Sequence, residues 1–284
     1  MNRASNLKVV TALTALLFSG VARAGVPFIN LEGAGGVAFN PLAYAAADAE
    51  EGIKVGGLEI AKPRIGSWYV NLNDSSIDWN TIGGATSINK RLELSFGYES
   101  IAIGSAVNVH KENVGAKLVL LDENAFGTKY LPSVAVGGTW KNTTYHPLAD
   151  GTGVDAYLVA TKFVTELPWP VLLSAGALST KAQVDGIIGF NADRKLIVFG
   201  NVDVVPLSWL AVGVEYKMGP NYQTNGTGYM DGDYFNVHAG WFVTKSFTLA
   251  AAYTFAGTNT FTAPATKPSL GFGPGFVLGG QYSF

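Results

Sequence analysis

The chain has three histidines, His110, His146 and His238, and no cysteine. A serine hydrolase would need one of those histidines as a positioned base beside a nucleophile. His238 shares a strand face with Asn236 and Gly240, and no serine is close to it in sequence. His146 stands beside Pro147, and His110 opens a strand, followed by Lys111 and Glu112. There is no G-x-S-x-G nucleophile turn. Asp231-Gly232-Asp233 offers two acids without the spacing of a calcium loop. Without cysteine, thiolate metal sites and disulfides are excluded. No catalytic residue, metal or cofactor is expected.

A second set of ionisable residues is more informative. Glu93, Glu99, Lys117, Lys141, Lys162, Asp203, Glu215 and Lys217 lie in runs where large apolar residues alternate with small or polar ones. Leu92, Leu94, Phe96 and Tyr98 oppose Glu93, Ser95, Gly97 and Glu99; Leu210, Val212, Val214 and Tyr216 oppose Ala211, Gly213, Glu215 and Lys217. Strand side chains alternate faces, so each run has one apolar and one polar face. That pattern suits a barrel with lipid outside and a polar lumen inside. Ionisable groups at membrane depth must face water or one another. These eight residues are therefore candidates to line a lumen, where they would set selectivity; paired across it, they would close it.

The elements that must carry them read as twelve strands, near 63–73, 80–88, 91–99, 110–121, 130–141, 154–166, 171–181, 194–205, 209–219, 233–243, 246–256 and 275–284. Short connections at Asn89-Lys90, Pro168-Trp169-Pro170, Pro206-Leu207-Ser208 and Thr244-Lys245 alternate with longer ones at 100–109, 142–153, 182–193, 220–232 and 257–274. An up-and-down barrel has short periplasmic turns and long external loops; 122–129 fits that rule least. The long loops carry turn dipeptides: Asp150-Gly151, Asp185-Gly186, Asn225-Gly226 and Asp231-Gly232. Trp68, Tyr98, Trp140, Trp169, Trp209, Trp241 and Tyr282 are placed for interfacial girdles. The chain closes on alternating Phe276, Leu278, Gly280, Tyr282 and Phe284, a terminal signal of the kind the outer-membrane barrel assembly machinery reads.

Composition agrees. Charged residues are 14% and hydrophobic ones 48%, against roughly 25% charged in soluble proteins. No basic block offers a footprint for nucleic acid. Arg3 and Lys8, the apolar stretch Val9 to Phe18 and Ala22-Arg23-Ala24 read as a cleaved signal peptide, residues 1–24, leaving Gly25 first. Residues 25–62 break the strand pattern. Gly33, Gly35 and Gly36 are flexible, Asn40-Pro41 marks a turn, and Ala43 to Ala49 is nearly helical in composition. The segment is too apolar for a comfortable tail, so a plug-like role in the lumen is expected, with a periplasmic tail as the other reading.

The chain also resembles a group of proteobacterial barrel proteins grouped as a domain of unknown function. The likeness runs in order through Leu31-Glu32-Gly33-Ala34-Gly35-Gly36, Leu92-Glu93-Leu94-Ser95, Val114-Gly115-Ala116-Lys117, Leu131-Pro132-Ser133-Val134-Ala135-Val136-Gly137, Asp155-Ala156-Tyr157 with Thr161-Lys162, Ala211-Val212-Gly213-Val214-Glu215-Tyr216-Lys217 and Ser246-Phe247-Thr248-Leu249-Ala250. Where many relatives carry Pro-Trp, this chain has Asn40-Pro41-Leu42. Asn40-Pro41 after a Gly/Ala-rich start is also similar to the hatch of outer-membrane transporters for hydrophobic compounds. The resemblance implies an outer-membrane barrel and brings no activity or site residues with it.

The expected fold is thus all-β: a transmembrane up-and-down β-barrel of about twelve antiparallel strands over 63–284, preceded by the plug-like 25–62, in the outer membrane of a Gram-negative bacterium. The expected function is passive passage of small solutes, gated by the N-terminal segment, with outer-membrane lipid and the assembly machinery as partners. A structural or adhesive barrel with a closed lumen and working external loops is the alternative, and a membrane-embedded hydrolase a second. The mature protein should need detergent for extraction and should migrate faster on a gel unheated than boiled; detergent-free extraction without a heat shift would overturn the barrel.

Overall fold

The computed structural model describes residues 28–47, 52–72, 76–105, 107–146, 150–220, 232–258 and 273–284. The signal-peptide region, Asn225-Gly226, Asp231 and most of 257–274 lie outside them. Two small hairpins come first: β1 (Phe28–Ile29) with β2 (Gly35–Gly36), and β3 (Ile53–Val55) with β4 (Leu58–Ile60). The long strands follow as β5 (Arg64–Leu72), β6 (Ile77–Ile88), β7 (Leu92–Ile103), β8 (Val107–Leu121), β9 (Ser133–His146) and β10 (Gly151–Val164). The remainder are β11 (Val171–Ala182), β12 (Phe190–Leu207), β13 (Leu210–Lys217), β14 (Asp233–Phe242), β15 (Phe247–Thr258) and β16 (Gly273–Ser283).

Each strand from β5 onward pairs antiparallel with the next, and β16 returns to β5 through pairs such as Val277↔Val70 and Gly279↔Trp68. The sheet therefore closes as a twelve-stranded antiparallel barrel, and closure leaves no edge to satisfy. Twelve strands at ~4.8 Å spacing and ~40° tilt give a backbone diameter of about 24 Å. The β3–β4 hairpin joins the end of β6 through Ile60↔Ile88, in line with the start of β5.

Alternation places the faces. Leu94, Phe96, Val114, Leu158, Val198, Val214, Leu249, Tyr253, Leu278 and Tyr282 are exposed around the outside, while the residues that alternate with them are buried or half-buried. So large and continuous an apolar outer surface needs lipid against it. The Asn89-Lys90 turn takes φ of 51° and 57°, the left-handed pair that a two-residue hairpin requires.

Three expectations change. β7 to β10 run further than their apolar pattern, because ladder pairing continues through Ile103↔Val107 and Asn108↔His146. The predicted long loops at 100–109 and 142–153 shrink accordingly, while the 122–132 connection, at the barrel end shared with the start of β5, is long. Trp68 is not a girdle residue. Its parity in β5 is that of buried Val70 and Leu72, and its indole N–H donates inward to Ile29 O at 2.7 Å. Trp140, Trp169, Trp209, Trp241 and Tyr282 do stand exposed on the outside. Finally, 43–47 makes bends and a turn rather than helix; the amides of Ala43 and Ala46 bond wall side chains instead of carbonyls one turn back.

Inside, the half of the barrel away from the start of β5 carries an apolar cluster on one side. Val70, Leu72, Ile77, Trp79, Ile101, Val109, Tyr234 and Val277 meet Val184 and Ile187 of the inward-folded 183–189 connection. On the outer face Leu278 pairs with Ala251 in mid-strand. Leu278→Arg should cost about 2–4 kcal/mol in urea unfolding from lipid vesicles, the cost of a cation near the midplane; a cost under ~0.5 kcal/mol would place that face in water.

Candidate functional site

Residues 28–47 are too short and too glycine-rich to bury a core of their own, so their backbone polar groups must find partners in the wall. They find them in the charged residues of the inner face. At the first anchor, Glu93 of β7 accepts from Gly35 N at 2.9 Å and Ala46 N at 2.7 Å. Lys117 of β8 bonds Glu93 at 2.8 Å and donates to Gly35 O at 2.9 Å. At the second, Glu215 of β13 accepts from the amides of Ala38 at 3.3 Å, Phe39 at 3.0 Å and Asn40 at 2.6 Å. Asn236 Nδ2 donates to Glu215 at 2.7 Å. The Asn40 side chain crosses to Tyr216 O at 2.9 Å and Gly200 O at 3.3 Å. At the third, Ile29 is gripped by both ends of the Gln281 amide, at 2.8 and 3.1 Å, and by Trp68. Thr161 accepts from Ala43 N at 2.9 Å.

Between the anchors lies an ionic lattice. Glu32 bonds Lys111 at 3.0 Å and also contacts Lys141; Lys111 bonds Glu99 at 2.9 Å. Lys141 bonds Asp155 at 2.8 Å and Asp185 at 3.0 Å, and Asp185 bonds Lys217 at 2.8 Å. The chain of charges runs from β7 through β8, β9 and β10 to the 183–189 connection and across to β13. Burial disfavours the Asp185 charge, but Lys141, Lys217 and Lys111 outweigh it and hold the carboxyl well below its ordinary range. Glu32 is opposed by burial and by Asp185, and the same three lysines still hold it lowered.

The glycines of the segment fit by close approach. Gly33 has φ of +90°, open to glycine but strained for other residues. It lies on Gly83 and Gly97, where a Cβ on either wall residue would strike the Glu32–Gly33 backbone. A Cβ on Gly35 would press on Glu93, at 2.6 Å, and on Ala46, at 2.9 Å. Gly36 bridges to Pro41, closing the turn that presents Asn40.

Of the eight sequence candidates, Glu93, Glu99, Lys117, Lys141, Asp203, Glu215 and Lys217 lie buried on the inner face. Lys162 does not join them. In β10 the buried set is Asp155, Tyr157, Val159 and Thr161, so Lys162 falls on the parity of exposed Leu158. It bonds Glu123 of the 122–132 connection at 3.0 Å, and Glu123 in turn accepts from Tyr44 OH at 2.6 Å. Sequence reasoning missed Glu32, Lys111, Asp155 and Asp185. Lys111 and Asp155 share parity with Lys117 and Tyr157 and fall inside the expected strands 110–121 and 154–166, so the alternation already carried their signal; Glu32 and Asp185 lie outside the long strands and left none. His238 Nε2 meets Asp203 Oδ1 at 2.5 Å, and its Nδ1 meets Asn236 Oδ1 at 2.7 Å. With both ring nitrogens taken, this histidine is not placed to activate a hydroxyl.

A family profile described as a protein of unknown function, DUF3034, matches residues 24–265. The chain belongs to that family. No curated protein matches the sequence. Among solved structures the chain is similar to the NanC porin, with a TM-score of 0.50 at 10% identity over 78% of this chain and 100% of that one. It is also similar to the KdgM porin, TM-score 0.46 at 14% identity over 78% and 99%. The outer membrane protein Omp33 of Acinetobacter baumannii gives 0.44 at 13% over 78% and 98%. At such identities the likeness is one of fold, that of a porin-like outer-membrane β-barrel.

The lowered carboxyls set a pH dependence. A group whose folded pKa is depressed adds stability that is complete above its unfolded pKa and is lost as pH falls toward the folded value. Glu32 should therefore support the seating of 28–47 fully at pH 7 and progressively less below about pH 4, and Asp185 should support the 183–189 connection in the same window. Hydrogen-exchange protection of these amides, corrected for intrinsic rates, should fall in that window. Glu32→Gln, which removes the segment's own charge from Lys111 and Lys141, should lower it already at pH 7; unchanged protection in this variant would show that the lattice does not hold the segment.

Proposed function

We propose that this protein is an outer-membrane channel for small solutes, with residues 28–47 as a plug that keeps the lumen closed until displaced. One observation carries the reading: wall acids Glu93 and Glu215 are committed to backbone amides of the segment. A barrel meant only to be solid needs no such charges; apolar side chains fill a lumen at lower desolvation cost. Beneath the segment the wall instead carries Glu93, Glu99, Lys117, Lys141, Asp203, Glu215 and Lys217, groups that water can solvate once the segment leaves. Each neutral hydrogen bond exchanged for water costs only about 0.5–1.5 kcal/mol, and charged ones about 1.5–3, so the closure is reversible. The same residues would then set ion preference in the open state. The solved structure of a KdgM porin with disordered oligogalacturonate gives that porin a small-solute ligand; the solute here is a matter for experiment. Cleavage after Ala24 would deliver the chain to the periplasm, and β16 would present its aromatic end to the assembly machinery.

The full pairing of the lattice also suits a permanently closed structural barrel. Single-channel recording separates the two. The refolded mature protein should be silent or flicker in a planar bilayer, and a variant lacking residues 25–50 should conduct steadily. Silence of both, with insertion verified by heat-shifted migration, would overturn the channel and leave the external loops as the working surface.

A further inference from the structure

Residues 28–47 enter the lumen, but the hairpin that follows them, β3 with β4, does not. Its sequence, Ile53-Lys54-Val55-Gly56-Gly57-Leu58-Glu59-Ile60, turns at two glycines with φ of 56° and 84°, the left-handed pair of a two-residue turn. The ladder Ile53↔Ile60, Lys54↔Glu59 and Val55↔Leu58 then sorts the side chains. Directly paired residues share a face, so the four aliphatic residues stand together on one side and Lys54 and Glu59 on the other. All four aliphatic side chains are exposed, Ile53 to 70%.

The wall fixes the direction of that face. Ile60 pairs with Ile88 of β6, which points outward; the neighbouring Ser87 points inward, where its hydroxyl donates to Ala47 O at 3.3 Å. Asn89 clamps β4 from the β6–β7 turn, its amide donating to Glu59 O at 2.7 Å and its side chain accepting from Glu59 N at 2.9 Å. Thr86 Oγ1 donates to Ala61 O at 2.7 Å, and Phe284 N to Pro63 O at 3.4 Å. Held this way, the hairpin prolongs the wall below β5 and β16, and its aliphatic face continues the outer surface.

That continuity can be followed strand by strand. Val136, Leu118, Leu92, Ile88, Ile60 and Ile53 are successive cross-strand partners, each of them apolar and outward. Val136 lies near the middle of the outward apolar stretch of β9, Val134 to Trp140. Strands ~4.8 Å apart and tilted ~40° make such a row descend roughly 3 Å per strand, about 15 Å from Val136 to Ile53. That is near half the ~25–30 Å apolar thickness of a membrane. Ile53 therefore arrives where acyl chains meet headgroups, at the barrel end with the short turns.

We infer that the β3–β4 hairpin is a lipid-contacting element, its Ile53, Val55, Leu58 and Ile60 face seated on phospholipid of the inner leaflet at the boundary of acyl chains and headgroups. A soluble partner fits the face less well. The aliphatic side chains look sideways from the wall, into space that lipid occupies, whereas the Lys54–Glu59 side is the one turned toward the water beneath the lumen. The N-terminal region is thus divided between two solvents, 28–47 in the lumen and 53–60 at the membrane. Lipid contact here does not require the barrel to conduct.

The chain has no cysteine, so single cysteines can carry a nitroxide. Val55→Cys and Leu58→Cys report the aliphatic face, Lys54→Cys the polar face and Val136→Cys the established wall, each in the full mature protein reconstituted in phospholipid vesicles. Heat-shifted migration verifies folding. Power-saturation spectroscopy compares collisions with oxygen, which concentrates in lipid, and with a nickel chelate confined to water. The oxygen-to-nickel ratio at 55 and 58 should exceed that at 54 by about threefold or more and approach that at 136. A ratio equal to that at 54 would place the face in water and overturn the contact. Few collisions with either reagent would mean that protein covers the face, a second copy included, and would overturn lipid as its occupant. A barrel that never conducts yet gives the high ratio would lose the channel and keep the contact; one that conducts with a low ratio would do the reverse.

Discussion

A charge enclosed by a lipid-facing barrel has to meet an opposite charge or a hydrogen-bond partner within a few ångströms, because water is not there to solvate it. Most of the interior follows from that requirement. The lysines of β8, β9 and β13 point inward from strands whose other face is apolar, so they cannot turn away. Glu99, Asp155 and Asp185 supply part of the balancing charge. Glu32, from outside the barrel strands, supplies another, contacting Lys111 and Lys141 together. The N-terminal segment is therefore part of the interior's electrostatics: without it, two lysines lose an anion and Glu93 and Glu215 lose the amides they face.

The lumen is divided as a result. The lattice and the amide anchors form a polar region, and beside it the walls turn apolar around Trp79 and Tyr234. Phe39 belongs to both regions, with its backbone on Glu215 and its ring against Tyr234.

How much of this was legible depended on whether a residue's surroundings are set by strand parity or by chain folding. Leu92 to Glu99 and Leu210 to Lys217 read correctly because the alternation fixes faces without reference to anything distant. Lys162 failed because it lies near the end of its strand, where the apolar pattern fades and parity has to be counted back from Tyr157. Trp68 failed because it stands at the middle of β5 rather than at its end, and its inward face carries the indole to Ile29, far away in sequence. Glu32 and Asp185 carry no periodic signal, and their roles exist only once the lysines of other strands are assembled around them.

The grip on Ile29 has a consequence for the order of events in biogenesis. Its two holders, Trp68 of β5 and Gln281 of β16, stand on opposite sides of the seam where the first and last barrel strands meet. The Gln281 bond joins residues 252 positions apart, a long loop whose closure entropy must be met before the contact can form. That pocket does not exist until the last strand has zipped onto the first. A segment synthesised ahead of every barrel strand is thus among the last to find its place, and its docking is a natural read-out of a finished ring.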